Sequence, residues 1–321
     1  MIGVVCLNPA LDITHQVAAA DWAGVNRPSA VHTRPGGKGL NVARTLHALG
    51  ADVLVLGLAG GSTGAGVQDA LAGLGVPAAW TPIGGETRRT FTVVDTESGG
   101  SALFSEPGPP VSDGEFARLR VRYQDALDGW AAVVLSGSLP PGRPADCYAG
   151  LIGLAAAAGV PVLLDTHGAA LRHGAAAGPA IVKPNLAELA GLTGRPLSGA
   201  AAGRPAVAAA ARELRAAGAQ AVVASLGADG LHAVTGEGSW WAGPPGPVAG
   251  NPTGAGDAVA AALAHGLVLG RPWQDRLRHA VALGTSAAAA PVAGEFSAAD
   301  YRRLLPAVTV RPDTAYPDGA G

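Results

Sequence analysis

The chain has 321 residues, enough for one large α/β domain or two small ones. Hydrophobic residues make up 48% and charged residues 14%, so a sizeable core is expected, and a net charge of −2 offers no general attraction to nucleic acid. No apolar run is long enough for a membrane span, "MIGVVCLNPALD" lacks the regions of a signal peptide, and Cys6 and Cys147 lie far apart, so a reduced, cytoplasmic setting is expected without membrane or nucleic-acid partners.

In chain order, "IGVVCL" (2–7), "DVLVLGLA" (52–59), "AAVVLS" (131–136), "VPVLLD" (160–165), "AIVKPN" (180–185) and "QAVVASLG" (220–227) read as buried strands. Between them, alanine-rich stretches around 38–49, 64–74, 145–158, 205–217, 257–269 and 275–290 read as helices. Strand–helix alternation predicts an α/β fold with a mostly parallel sheet covered on both faces. Ligands on such sheets bind beyond the carboxyl ends of the strands. Asn8, Asp12, Ser136 to Ser138, Asp165, Asn185 and Gly227 all follow strands. Segments 13–34 and 86–108 break the alternation and read as a small β appendage, with "RRTFTVVD" and "GSALFSEPG" joined by the turn "TESGG". The last strand-like segment is placed near 248, and "RPDTAYPDGAG" (311–321) reads as a loosely ordered tail after a single domain over 1–310.

"NPTGAGDAVAAALAHGLVLG" (251–270) places a glycine pair and one aspartate before an apolar helix. It reads either as a capped turn or as an anion site with a base built into it. Phosphoryl transfer needs the second arrangement: amides for the developing negative charge, and a carboxylate for the proton of the attacking hydroxyl. "RPGGKGLNVARTLHALG" (34–50) is a second glycine turn running into a helix, and it is no Walker motif, because Gly39 follows Lys38 where Ser or Thr is required. Strand alternation sends Arg88 and Arg89 to opposite faces, one toward a ligand and one toward solvent. Asn185 and Glu188, three apart at a helix start, suit either a polar cap or ordered water around magnesium. No G-x-G-x-x-G follows an early strand, and the eight histidines show no metal-ligand spacing.

"LNPALD", "PGGKGLNVAR", "GETR", "EPGP", "LSGSLPPG", "LDT", "KPNLAEL", "SLGADG" and "GAGDA" stand in the order and spacing of the pfkB carbohydrate kinases, the family that includes ribokinase. The resemblance covers about residues 2–295. It is nearest the branch of 1-phosphofructokinase, tagatose-6-phosphate kinase and the minor 6-phosphofructokinase. It implies a three-layer, ribokinase-like α/β fold with a β-sheet lid, and a homodimer formed through that lid. By resemblance, Asp257 is the catalytic base, and Gly254, Ala255 and Gly256 form the anion hole. Asp12, Gly37 and Asn41 hold sugar hydroxyls; Lys38, Arg88 and Arg27 hold a phosphate already on the acceptor; Ser138 is a polar residue on the acceptor side. Lys183, Asn185, Ser225, Gly227 and Gly230 belong to the ATP region, with Glu188 tied to Mg2+ through water.

These cations imply a phosphorylated acceptor, since a neutral sugar needs hydroxyl partners instead. The leading expectation is ATP-dependent conversion of fructose 1-phosphate to fructose 1,6-bisphosphate. The alternatives are tagatose 6-phosphate, fructose 6-phosphate, and an unphosphorylated or specialised-pathway sugar. A non-catalytic sugar-phosphate sensor would have no use for Asp257 or Glu188. The sequence departs from the family pattern at Pro252, Thr253 and Ala258 around the anion hole, at Arg89 and Thr90 where Ile-Asn is common, and at Ser105 where Asn is usual.

Overall fold

The computed structural model describes residues 1–199, 203–246, 253–290 and 294–313. A ten-stranded sheet runs in the order β14-β13-β12-β11-β10-β9-β8-β1-β4-β5. Its parallel part comprises β1 (Ile2–Cys6), β4 (Val53–Ala59), β5 (Ala78–Pro82), β8 (Ala132–Ser136), β9 (Val162–Asp165), β10 (Ile181–Val182) and β11 (Val222–Ser225). An antiparallel edge follows, made of β12 (Leu231–Thr235), β13 (Gly238–Gly243) and β14 (Thr309–Pro312). The predicted α/β class and mostly parallel sheet are therefore observed.

Alternation along β1 builds two cores. Ile2, Val4 and Cys6 enter one with α1 (Lys38–Ala48), α2 (Gly61–Gly73), α8 (Ala255–Val268) and α9 (Trp273–Ala288). Val5 and Leu7 enter the other with α3 (Asp113–Leu127), α4 (Cys147–Ala157), α5 (Gly168–Ala176), α6 (Leu186–Thr193) and α7 (Arg204–Ala216). The result is three layers, with strands buried on both sides as their apolar runs require. Among the described residues no helix is long and apolar enough to cross a membrane.

A separate four-stranded sheet has the order β3-β2-β6-β7, from β2 (Ala10–Val17), β3 (Ala30–Gly36), β6 (Arg88–Asp95) and β7 (Ser101–Ser105). Its register aligns Arg34, Asp12, Thr90 and Ser105 across one row, and His32, Thr14, Thr92 and Leu103 across the next. Period-two alternation sends Ile13, Val31, Phe91, Val93 and Phe104 to the other face. The sheet is polar on one side and apolar on the other.

The first residues of the tail expected from 311 hold defined positions. Arg311 and Pro312 complete β14, where the sheet edge tolerates a proline, and Asp313 Oδ2 lies 2.9 Å from His232 Nε2. Residues 314–321, Pro252 and the predicted strand end near 248 lie outside the described residues.

Candidate active site

One cavity of about 1040 Å³ lies between the carboxyl ends of the parallel strands and the polar face of the small sheet. Its walls include Asp12, Gly37, Lys38, Asn41 and Arg88 on one side, and Lys183, Asn185, Ser225, Gly227 and Gly230 on the other. Gly254, Ala255, Gly256 and Asp257 stand between them.

Helix α8 is capped by Gly254, whose left-handed φ of 86° is open to glycine and strained for other residues. The N–H groups of Asp257 and Ala258 return to the Gly254 carbonyl at 3.1 and 3.0 Å. The N–H groups of Ala255 and Gly256 precede them and have no acceptor within the helix. They form a positive end of the helix dipole that suits an anion. A Cβ on Gly256 would lie 3.5 Å from the Lys183 ammonium, so a cation stands beside these amides.

Asp257 is only 6% exposed yet lines the cavity. Burial first, and then the neighbouring Asp165 carboxylate, push it up from an ordinary 3.8 to about 7. Asn41 Nδ2, donating to its Oδ2 at 2.9 Å, works in the opposite direction, as do Lys38 and Lys183. The side chain of Asp257 reaches the cavity instead of capping α8.

Asp165, wholly buried at the end of β9, bridges two ammonium groups: Lys38 Nζ at 3.3 Å and Lys183 Nζ at 3.2 Å. Lys38 also meets Glu188 Oε1 at 3.4 Å. Burial opposes the charge of Lys38, but Asp165, Glu188 and Asp257 together outweigh it and hold its ammonium above the usual range. Glu188 has a second duty. Its Oε2 accepts from the Asn185 N–H at 2.8 Å while Asn185 Oδ1 accepts from the Glu188 N–H at 2.8 Å, a reciprocal cap on α6.

Arg88 turns into the cavity and donates to Asn8 O at 3.2 Å, Ser105 Oγ at 2.9 Å and Glu106 O at 3.2 Å. Arg89 lies on the opposite face, paired with Glu106 at 3.3 Å. Asp12 accepts from Thr90 and is raised by burial, an effect that this bond offsets in part.

Of the residues given a site role by resemblance, three do not line the cavity. Arg27 is exposed in the loop between β2 and β3. Ser138 stands behind the wall, accepting from Asn8 Nδ2 at 3.0 Å. Glu188 meets the wall through Lys38 and through its reciprocal cap with Asn185. Lys38 is itself among carboxylates, not beside Arg88. Conversely, Arg34, His32 and Arg44 line the cavity, although sequence reasoning gave them no role, and Asp165, read only as a residue following a strand, organises its centre. Arg44 carried a readable signal, since it follows Asn41 by three on a helix. The stretch "GGSTG" (60–64) has the spacing of a serine-hydrolase elbow, but exposed Ser62 donates to Glu86 at 3.2 Å, away from the cavity.

Comparison with known proteins adds to this geometry. The tetrameric inhibited form of phosphofructokinase-2 from Escherichia coli is 31% identical over 95% of this chain and 98% of that one, with a TM-score of 0.87. The same enzyme in complex with substrates and products is 30% identical, covers the same shares, and has a TM-score of 0.86. A possible 1-phosphofructokinase from Thermotoga maritima is 24% identical over 97% and 99% of the two chains, with a TM-score of 0.85, and shows likeness of fold. These likenesses agree with the ribokinase-like arrangement of three layers and a small sheet. Residues 6–297 match the model described as pfkB family carbohydrate kinase, and with the helix-end amides, the buried Asp257 and the cavity they share, the chain belongs to that family of sugar kinases.

Proposed function

We propose that the protein transfers the γ-phosphoryl group of ATP to a ketohexose monophosphate, with fructose 1-phosphate the first acceptor to consider. The observation that carries this reading is the buried carboxylate of Asp257 beside free helix-end amides, in a cavity that also holds the guanidinium of Arg88. Asp257 takes the proton of the acceptor hydroxyl. The amides of Ala255 and Gly256, with Lys183, stabilise charge on the moving phosphoryl group. Lys183, Asn185, Ser225, Gly227 and Gly230 line the nucleotide side, and Asp12, Gly37, Asn41 and Arg88 the acceptor side. Asp165 keeps the ammonium groups of Lys38 and Lys183 at the junction of the two sides.

Both Glu188 oxygens are engaged, Oε1 by Lys38 at 3.4 Å and Oε2 by the Asn185 N–H at 2.8 Å, so the form of magnesium that fits is a hydrated ion bound mainly by phosphates, which needs few protein ligands and meets Glu188 only through water. Bound there, it would neutralise phosphate charge, with Glu188 holding its water.

Fructose 6-phosphate is the second reading, since a neighbour of 30% identity was solved in complex with that sugar. A coupled ADP-release assay across fructose 1-phosphate, fructose 6-phosphate, tagatose 6-phosphate, fructose and ribose decides. Turnover confined to a ketohexose monophosphate is expected. Preference for fructose or ribose overturns the phosphate part of the proposal, and no ADP from any acceptor overturns the whole.

The small sheet acts in this reading as a lid that excludes water, whose attack would waste ATP. Its apolar outer face suits a second copy of the chain. Trp22, Val31 and Phe104 are 67%, 54% and 54% exposed there, and the rings of Trp22 and Phe104 stand 6.3 Å apart. A phosphate-binding role for Arg27 would then act across that interface. Trp22→Glu is expected to turn a dimer into a monomer by light scattering. An unchanged mass at micromolar protein concentration would place the interface elsewhere.

A further inference from the structure

We propose that Arg44 is a positioning residue for the base, fixing the side-chain amide of Asn41 so that its N–H, not its carbonyl, faces Asp257. The proposal rests on the reading of Asp257 as the base. Asn41 and Arg44 are three apart on α1 and share one face. Arg44 is 7% exposed, and its Nη1 lies 3.4 Å from Asn41 Oδ1 and 3.4 Å from Pro35 O. On the far side of the same amide, Asn41 Nδ2 donates to Asp257 Oδ2 at 2.9 Å.

A guanidinium only donates, and an ionised carboxylate only accepts. With one on each side, the amide has a single favourable orientation. Flipping it would set carbonyl against carboxylate and amine against guanidinium. The glycine at 294 closes this arrangement from above. Its φ is 75°, and a Cβ there would meet Asn41 Oδ1 at 2.8 Å and Arg44 Nη1 at 3.2 Å. Only a backbone without a side chain packs so closely over both groups.

The charge of Arg44 is not matched by a partner of its own. Glu295 Oε1 stands 3.7 Å from Nη2 but is bound more closely by Arg34 of β3, so two guanidinium groups share one carboxylate. Asp12 of β2 is the other acid facing Arg44. A buried cation is costly unless it is paired and hydrogen-bonded, and orienting Asn41 gives this one a purpose beyond packing. The charged groups facing Asp257 are Asp165 from β9, Lys38 from α1 and Lys183 from the segment after β10. None of them touches the amide's oxygen, so they leave its orientation to Arg44.

The test is the pH dependence of kcat/KM in Arg44→Met, Asn41→Ala and the double variant, using the full chain and the best acceptor of the ADP-release assay. Removing Arg44 leaves the amide free to turn and deprives the carboxylate of a directed donor. The acidic limb is then expected to move up by about one pH unit and kcat to fall about tenfold, with KM for ATP unchanged. Asn41→Ala alone should move the limb as far, and adding Arg44→Met to it should move it no further. A second shift of the same size in the double variant would mean that Arg44 acts by its charge alone, and would overturn the proposal. So would a lower Tm with the limb in place. Where Arg44→Met does not fold, Arg44→Lys decides, since lysine keeps the charge but its Nζ falls one bond short of the Nη1 position that meets both Asn41 and Pro35. Its limb should also rise, and a wild-type limb overturns the proposal. Full turnover in Asp257→Asn would instead remove the base reading itself.

Discussion

Asp257→Asn is expected to lower turnover by about 10²–10⁴-fold, the range for loss of a general base, while ATP still binds with nearly its original affinity. The amides of Ala255 and Gly256 belong to the backbone and survive the change, so the phosphoryl cradle remains. What is lost is the proton acceptor. In the native protein that acceptor must be ionised, and burial places its titration at about 7. Activity should therefore rise through neutral pH and level off above it. The same shift links to stability with the opposite sign. Between the ordinary 3.8 and about 7, the folded protein keeps a proton that the unfolded chain has released. Stability then declines as pH rises through that window, and the neutral asparagine escapes the decline. Thermal unfolding at pH 8 should show the variant melting above the wild type and turning over far more slowly. Near-normal turnover would refute the assignment of the base; a lower melting temperature would refute the account of its pKa.

Arg88→Ala is expected to raise KM for the phosphorylated acceptor by about 10- to 150-fold, the equivalent of one charge-assisted contact of roughly 1.5–3 kcal/mol. KM for ATP should stay within about twofold, because such a contact is made to the acceptor alone. Arg88 also ties β6 to the end of β1 and to β7 through Asn8 and Ser105, so a general loosening has to be separated from a lost phosphate partner. The unphosphorylated ketose provides the control. If the guanidinium holds phosphate, the variant should handle fructose as poorly as the wild type does, and no worse. A matching fall with fructose would mean that Arg88 only braces the small sheet. Arg88→Lys should recover part of the affinity, since it keeps the charge and loses the fork.

The central strands were legible because burial on both faces leaves continuous apolar runs, as in β1, β4 and β8. The glycine turns were legible because each follows such a strand or opens a helix, and the parallel topology carries them all to one end of the sheet. Other elements gave weaker signals. Helix α3 buries only Leu119, Tyr123 and Leu127 along a polar surface, and its clearest mark is the Ser112–Glu115 capping box. Strand β5 lies at the sheet edge and ends in Pro82, so neither length nor alternation marks it. The hairpin of β12 and β13 carries Trp240 and Trp241 on successive positions, an apolar pair that hides the alternation beneath it.

At the site, the place of a residue after a strand was legible and its charge partners were not. The importance of Asp165 comes from two lysines that approach it from positions 38 and 183, a meeting that only the folded chain reveals. Thr90 and Ser105, two separate departures in the sequence, prove to be direct cross-strand neighbours on the cavity face. They are better understood as one coupled change to the acceptor wall than as two independent ones.

The two-faced small sheet carries a consequence for how such an enzyme can diverge. Positions 12, 14, 32, 34, 90 and 92 look inward, while 13, 31, 91 and 93 look outward. New preferences can be written on the inward letters without disturbing the outward ones, because a period of two keeps the texts apart. A single-residue insertion in β2 would turn the rest of that strand over at a stroke, pointing its polar letters outward and its greasy ones into the cavity. Drift within this lineage should therefore substitute freely along these strands and almost never change their length.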